Sequence, residues 1–201
     1  MKINITSFNI LNVIDTCAID NLLSSNTLFN ASINANCKFC YTKFVEYEMF
    51  YKERKNPTPS SLQLQNKLKM ETKLQRFECH QLSIDDLQDV EIMEKRKKLG
   101  IGELSCIAFA RKINHSFMSD DQGARKFASE IIGSNKVQTT PHLLGWLFYN
   151  RNLIDSDFNV IIQEHESNNR TLSRFLKEAY EESLRIRLMV KLTPPSSRYV
   201  E

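Results

Sequence analysis

Two short stretches constrain the fold more than anything else in the chain. NILNVIDTCAID (residues 9–20) and FMSDDQGARKFA (117–128) each pass from an apolar run into an acid and then into a helix start. An apolar run without polar alternation is the pattern of a strand buried on both faces. CKFCYT, FECHQL and KVQT read as further strands. Between them lie helical segments: in ARKFASEII, Ala124, Phe127, Ala128, Ile131 and Ile132 follow the i, i+3, i+4, i+7, i+8 rule. In TTPHLLGWLF, Thr140 is placed as an N-cap and Pro141 as the first helical residue. Doubly buried strands alternating with helices predict a parallel sheet covered on both sides. The expected fold is therefore α/β, a three-layer α/β/α sandwich with a mostly parallel sheet of four or five strands.

At 201 residues the chain can bury one substantial core. The main domain is expected over 1–165, with a helical insertion at about 52–98 and a C-terminal helical extension, 166–201, packed on it. Extra helices are expected within 60–98 and 170–192. The polar stretch 52–76, with Asn56-Pro57-Thr58-Pro59 in its first turns, reads as a loop followed by an exposed helix overhanging the sheet. NRTLSRFLKEAYEESLRIRLMVKL reads as one amphipathic helix, stopped by Pro194-Pro195. SSRYVE is expected to fray.

No run approaches the ~18–20 apolar residues of a membrane span, and the N-terminus shows no basic-then-apolar secretion signal. The expectation is a cytoplasmic protein with no membrane contact. Five cysteines, an odd number scattered through apolar segments, are expected to stay reduced and act as small hydrophobes. CKFC (37–40) does not read as a zinc knuckle: it sits in a strand, where Cys37 and Cys40 point to opposite faces, and no second CxxC exists. A net charge of +3 is too mild to announce a nucleic-acid partner by itself.

The acids carry the chemistry. Ligands of open parallel sheets sit beyond the carboxyl ends of the strands. Asp15 ends the first strand and Asp120 and Asp121 end a later one; Glu48, six residues past Thr42, and Glu103, opening an apolar helix, are expected at the same edge. Two carboxylates ~4 Å apart repel by roughly 4 kcal/mol at an effective dielectric of about 20. Such a cluster keeps protons or holds a cation. All-oxygen donors favour a hard ion, Mg²⁺ or Mn²⁺, and a hard ion in an acidic pocket suits phosphodiester hydrolysis. Each acid also has a plain structural reading: Asp15 closes a strand, Asp120 or Asp121 caps a helix, and Glu103 answers a helix dipole.

Other chemistries fail on the text. A dehalogenase-type phosphatase needs a second Asp where Cys17 stands, and LGIGEL lacks the third glycine of a dinucleotide loop. There is no Walker lysine loop, and the paired acids and late lysine of a receiver domain are absent. No His has a Ser or Cys partner placed for nucleophilic catalysis.

The order Asp…Glu…Glu…Asp at strand ends and helix starts resembles the PIN-domain family of metal-dependent nucleases, over roughly residues 9–160. VIDTCAID resembles the family's opening strand with its first ligand, Asp15. TKFVEYEMFY resembles the second motif, placing Glu48 there, with Glu46 as the competing choice. GIGELSCIAFA resembles the third, through Glu103, and FMSDDQGARKFA the fourth, shared by Asp120 and Asp121. The resemblance implies an endonuclease, with RNA as the expected substrate, leaving a 5′-phosphate and a 3′-hydroxyl. It implies that Asp15, Glu48, Glu103 and Asp121 are catalytic and, with Asp120, bind one or two ions. The alternative is a non-catalytic PIN-like module binding RNA or a protein.

Arg125, four residues beyond Asp121, is read as an internal salt bridge or a phosphate contact. Thr16 and Thr139 stand at strand ends, to steady a metal-bound water or simply to form a turn. The basic clusters YKERK (51–55) and EKRKK (94–98), with Lys97 and Lys98, would flank the active edge and grip a phosphate backbone; RIRLMVK (185–191) reads as a solvated face. In a toxin-type nuclease an antitoxin would cover the acidic pocket. The C-terminal helix could serve that contact, pair with a second copy in a homodimer, or pack on its own domain. Toxicity, phage defence and RNA processing all remain open as biological settings.

Overall fold

The computed structural model describes residues 4–52 and 58–192. Asn56-Pro57, most of YKERK, the Pro194-Pro195 stop and SSRYVE lie outside the described residues. Five strands, β1 (Leu11–Ile14), β2 (Lys38–Thr42), β3 (Phe77–His80), β4 (Ser116–Met118) and β5 (Val137–Gln138), form one all-parallel sheet in the order β3-β2-β1-β4-β5. The inner strands are buried on both faces, as the apolar runs require: Val13 and Ile14 on β1, Phe39 through Thr42 on β2 and Phe117 and Met118 on β4 are all inside. The edge strand β3 departs from the expectation: only Phe77 is buried, and Glu78 is exposed, because an edge strand has one open side.

Ten helices are present among the described residues: α1 (Thr16–Leu23), α2 (Asn26–Asn34), α3 (Lys43–Phe50), α4 (Pro59–Lys73), α5 (Ile84–Arg96), α6 (Ile101–Lys112), α7 (Gln122–Ile132), α8 (Thr140–Tyr149), α9 (Asp155–Ser167) and α10 (Ser173–Leu192). One helical group, α3, α5 and α7, packs around α6, which lies across β1, β2 and β4. The other joins α1, α2, α8, α9 and α10. The architecture is the expected α/β/α sandwich. No helix among the described residues is long and apolar enough to cross a membrane.

The strand order creates the crevice that matters. From β1 the chain builds outward through β2 and β3, then crosses back to place β4 and β5 on the other side of β1. The connections leaving β1 and β4 therefore diverge, and in open parallel sheets that switch point is where ligands bind. At the opposite, amino end, side chains reinforce the short outer strand: Asn9 N–H donates to Gln138 Oε1 (2.7 Å), and Gln138 Nε2 donates to Asn12 Oδ1 (2.5 Å).

The structure corrects two local expectations. α4 does not overhang the sheet: Leu64 and Leu68, one turn apart, are buried, and Lys67 Nζ donates to Leu23 O and Asn26 Oδ1. Two leucines four residues apart suffice to seat an otherwise polar helix. The cap of α8 is Thr139, not Thr140: Thr139 Oγ1 accepts from His142 N–H, and Thr140 is the first helical residue. Thr140 is drawn away because its own N–H and hydroxyl are committed to Asp120.

α10 packs on α8 and α9 of its own chain, with Leu176, Ala179 and Ser183 buried. Tyr180 stacks on Phe158 at 4.3 Å between ring centroids. Gly145 permits the close approach: a Cβ there would stand 2.7 Å from Ile5 Cγ2 and 3.1 Å from Ala179 O.

Candidate functional site

Asp15 follows β1 directly and is the N-cap of α1, its Oδ1 accepting from Ala18 N–H at 2.9 Å. It is 1% exposed, and its other oxygen, Oδ2, is buried without a hydrogen-bond partner. Burial raises its pKa from 3.8 to about 7. The Ser119 hydroxyl, which stands near Asp15 without meeting hydrogen-bond geometry, and the Ala18 N–H pull the other way, while Asp120 and Glu103 add like-charge repulsion.

Past β4 the two adjacent aspartates divide their work. Asp120 accepts from Asn21 Nδ2 (2.8 Å), Thr140 N–H (2.9 Å) and Thr140 Oγ1 (2.6 Å). Asp121 is the N-cap of α7, accepting from Ala124 N–H at 2.7 Å. Glu103, in the first turn of α6, accepts from Gly100 N–H at 2.9 Å. Its carboxyl lies above the ordinary range, chiefly through burial, with Asp121 and Glu48 adding repulsion.

Glu48 projects from α3 toward α6, where its carboxylate fills the space beside the Cα of Gly102. Its Oε2 accepts from Thr16 Oγ1 at 2.9 Å. Glu46, the competing acid, turns elsewhere: it pairs with Lys43 at 2.7 Å and stands near Cys79 and Tyr41. Asp15, Glu48, Glu103, Asp120 and Asp121 thus form one electrostatically linked chain at the carboxyl edge of the sheet, with Thr16 holding Glu48.

The remaining candidates are placed differently. Arg125 makes no ion pair with Asp121; its Nη1 donates to the backbone carbonyls of Ser119 (3.4 Å) and Asp120 (2.5 Å). The salt-bridge reading is therefore replaced by a clamp on the loop after β4. Lys97 and Lys98 are exposed just past α5. Nearby, Lys95 pairs with Glu91, and Arg96 lies over the Phe127 ring at 5.7 Å. Thr139 serves as a cap. All five cysteines are free, and Cys40 Sγ donates to Asn12 O, so the strand cysteines are packing residues.

Three site residues had no signal in the local sequence: Asn21, Ser119 and Thr140. Each acts across the gap between chain segments, so only the fold brings it to its acid.

A hard divalent ion fits this edge in donor chemistry, and the orphaned Oδ2 of Asp15 is the kind of atom a cation would satisfy. The spacing is that of an open bowl: among the described residues no three His, Cys, Asp or Glu side chains stand as close as a metal-holding group. No protein-family model, curated protein or solved structure matches the chain.

Proposed function

We propose that the crevice between the ends of β1 and β4 is the active centre of a Mg²⁺- or Mn²⁺-dependent endoribonuclease of the PIN type, working in the cytoplasm, where its five cysteines would stay reduced. One observation carries the reading: a buried, unpartnered carboxylate oxygen on Asp15 at the floor of an edge where four further acids gather. A bound ion there would lower the pKa of a water and offset charge on the phosphate oxygens.

In this reading Asp15, Glu48, Glu103 and Asp121 hold the ion, with Asp120 beside them. Thr16 fixes the Glu48 carboxylate through its hydroxyl, and Asn21 and Thr140 fix that of Asp120. Arg125, clamped to the loop after β4, presents positive charge at the rim for a phosphate. RNA is the expected substrate, cut to a 5′-phosphate and a 3′-hydroxyl.

Asp15→Asn tests the reading because the amide oxygen can still cap α1 while the charge is gone. Loss of Mn²⁺-dependent cleavage of single-stranded RNA, in a variant with a native circular dichroism spectrum, is the expected result; cleavage at the wild-type rate would remove the assignment. The open spacing of the acids favours a second reading, a non-catalytic module binding RNA or a protein. Calorimetry with Mn²⁺ separates the two, since a module without a metal site takes up no stoichiometric ion.

A further inference from the structure

Beside the acid edge lies a cavity of about 650 Å³ between the N-terminal ends of α7 and α8 and one face of α10. Asp120, one of the acids of the edge, and Arg125 are among its lining residues, so it borders the proposed reaction site. Its volume is that of a small-molecule pocket. Leu172, Pro141 and Ala179 give it an apolar wall, and Phe175, 52% exposed on the first turn of α10, contributes a bare aromatic face. Glu178, Glu182 and Arg185 complete the α10 side.

The charges argue against a phosphate deep in the cavity, since three acids outnumber two arginines among the lining residues. A neutral heterocycle meets no such repulsion. A flat ring can stack on Phe175, and its N–H edge can meet a carboxylate. Glu178 is suited to that part: its present partner is Arg174, in an exposed pair at 2.9 Å, a contact of the kind that contributes little and is readily exchanged. Arg125 sits where the cavity meets the acid edge, and among the described residues its Nε and Nη2 make no hydrogen bond. A phosphate joined to a base in the cavity would reach it there.

We propose that this cavity is a nucleobase pocket, holding the base next to the reacting phosphodiester by stacking on Phe175 and reading its edge with Glu178. The inference rests on the nuclease reading for its biological use, but not for its chemistry. It favours guanine. One carboxylate accepts from the adjacent N1–H and N2–H of guanine at once, whereas adenine, cytosine and uracil each place an acceptor beside their donor on that edge.

The test is a titration of the protein in EDTA with the four nucleoside 5′-monophosphates, followed by backbone amide NMR shifts along α10. GMP should bind most tightly and shift amides around residues 175–182. Phe175→Ala should weaken GMP by roughly 5- to 150-fold, the range a lost base stack gives. Glu178→Gln should leave binding in place but abolish the preference for guanine. Both side chains are exposed, so neither change threatens the fold. Equal binding of all four nucleotides, shifts elsewhere, or indifference to Phe175→Ala would overturn the pocket. Its fate is separable from that of the nuclease reading. Loss of cleavage in Asp15→Asn, with KM and cut-site preference unmoved in the Phe175 and Glu178 variants, would defeat the pocket alone. Selective GMP binding in a protein whose Asp15→Asn variant cuts as wild type would leave the pocket standing without the Asp15-centred site.

Discussion

Gly102→Ala separates the proposed chemistry from stability more cleanly than removing an acid. Gly102 is buried near the start of α6, and a Cβ built on it would lie 2.4 Å from Glu48 Oε2 and 2.7 Å from Glu48 Cδ. Carbon contacts settle at ~3.5–4.0 Å, so the carboxylate must retreat by about 1 Å. It can do so, being the far end of a flexible side chain, but it then leaves the Thr16 hydroxyl and shifts against Glu103. A displacement of that size in a positioned group costs on the order of 100-fold in rate. The backbone effect runs the other way, since Ala is favoured over Gly in a helix by up to about 1 kcal/mol. The expected variant melts within about 4 °C of wild type and cleaves single-stranded RNA about 100-fold more slowly in Mn²⁺. Adding Glu48→Gln should cost little more, because both changes act through one carboxylate. Wild-type cleavage would refute the role of Glu48, and a melt lowered by tens of degrees would refute the claim that its side chain absorbs the clash.

Three further outcomes follow from the geometry. In EDTA the folded protein holds the Asp15 proton up to about pH 7, against 3.8 for an ordinary carboxyl, so stability should fall as pH rises between those values, on the order of 4 kcal/mol in all. Asp15→Asn removes that slope, so urea melts should show it more stable than wild type at pH 8 but not at pH 4; parallel pH profiles would contradict the buried-acid account. Replacing Lys97 and Lys98 with Ala should lower the salt dependence of single-stranded RNA binding by about 1.4 in log–log slope, while an unchanged slope takes these lysines out of the interface. Leu176→Ala, at a fully buried position on α10, should cost about 2–5 kcal/mol in chemical denaturation, and a loss under 1 kcal/mol would mean that α10 is not part of the core.

The sheet was legible because a doubly buried strand admits a polar side chain only where it finds a partner, as Asn12 and Gln138 do, and mostly apolar runs such as NVI or KFCYT admit few other readings. Acids that end such runs were conspicuous for the same reason. Less could be read where only a few contacts decide the outcome. The seating of α4 rests on Leu64 and Leu68 inside a polar segment, and the cap of α8 moved by one residue because Asp120 competes for Thr140. The Asn21 contact with Asp120 spans 99 residues and the Thr16 contact with Glu48 spans 32, so neither leaves a local pattern. On paper only the apolar residue after it sets Glu48 above Glu46; in the structure Glu46 pairs with Lys43 of its own helix while Glu48 lies on the side of α3 that meets α6.

The supporting contacts explain how so many acids can share one edge. Asp15 caps α1, Glu103 accepts from Gly100 at the head of α6, Asp121 caps α7, and Asp120 accepts from the first N–H of α8. Each helix start carries about half a positive charge. Four such ends against five carboxylates reduce the repulsion without cancelling it, and an excess of negative charge remains. Glu48 lies deep in α3 rather than at a helix start and relies on the Thr16 hydroxyl instead. Asp15 shows where the compensation fails: capping satisfies one oxygen, burial leaves the other alone, and the carboxyl holds its proton to about pH 7. The fold therefore tolerates the cluster through helix starts, and concentrates what they leave uncompensated on one buried oxygen. That is where a cation would gain most by replacing a proton, and such replacement should strengthen as pH rises through 7.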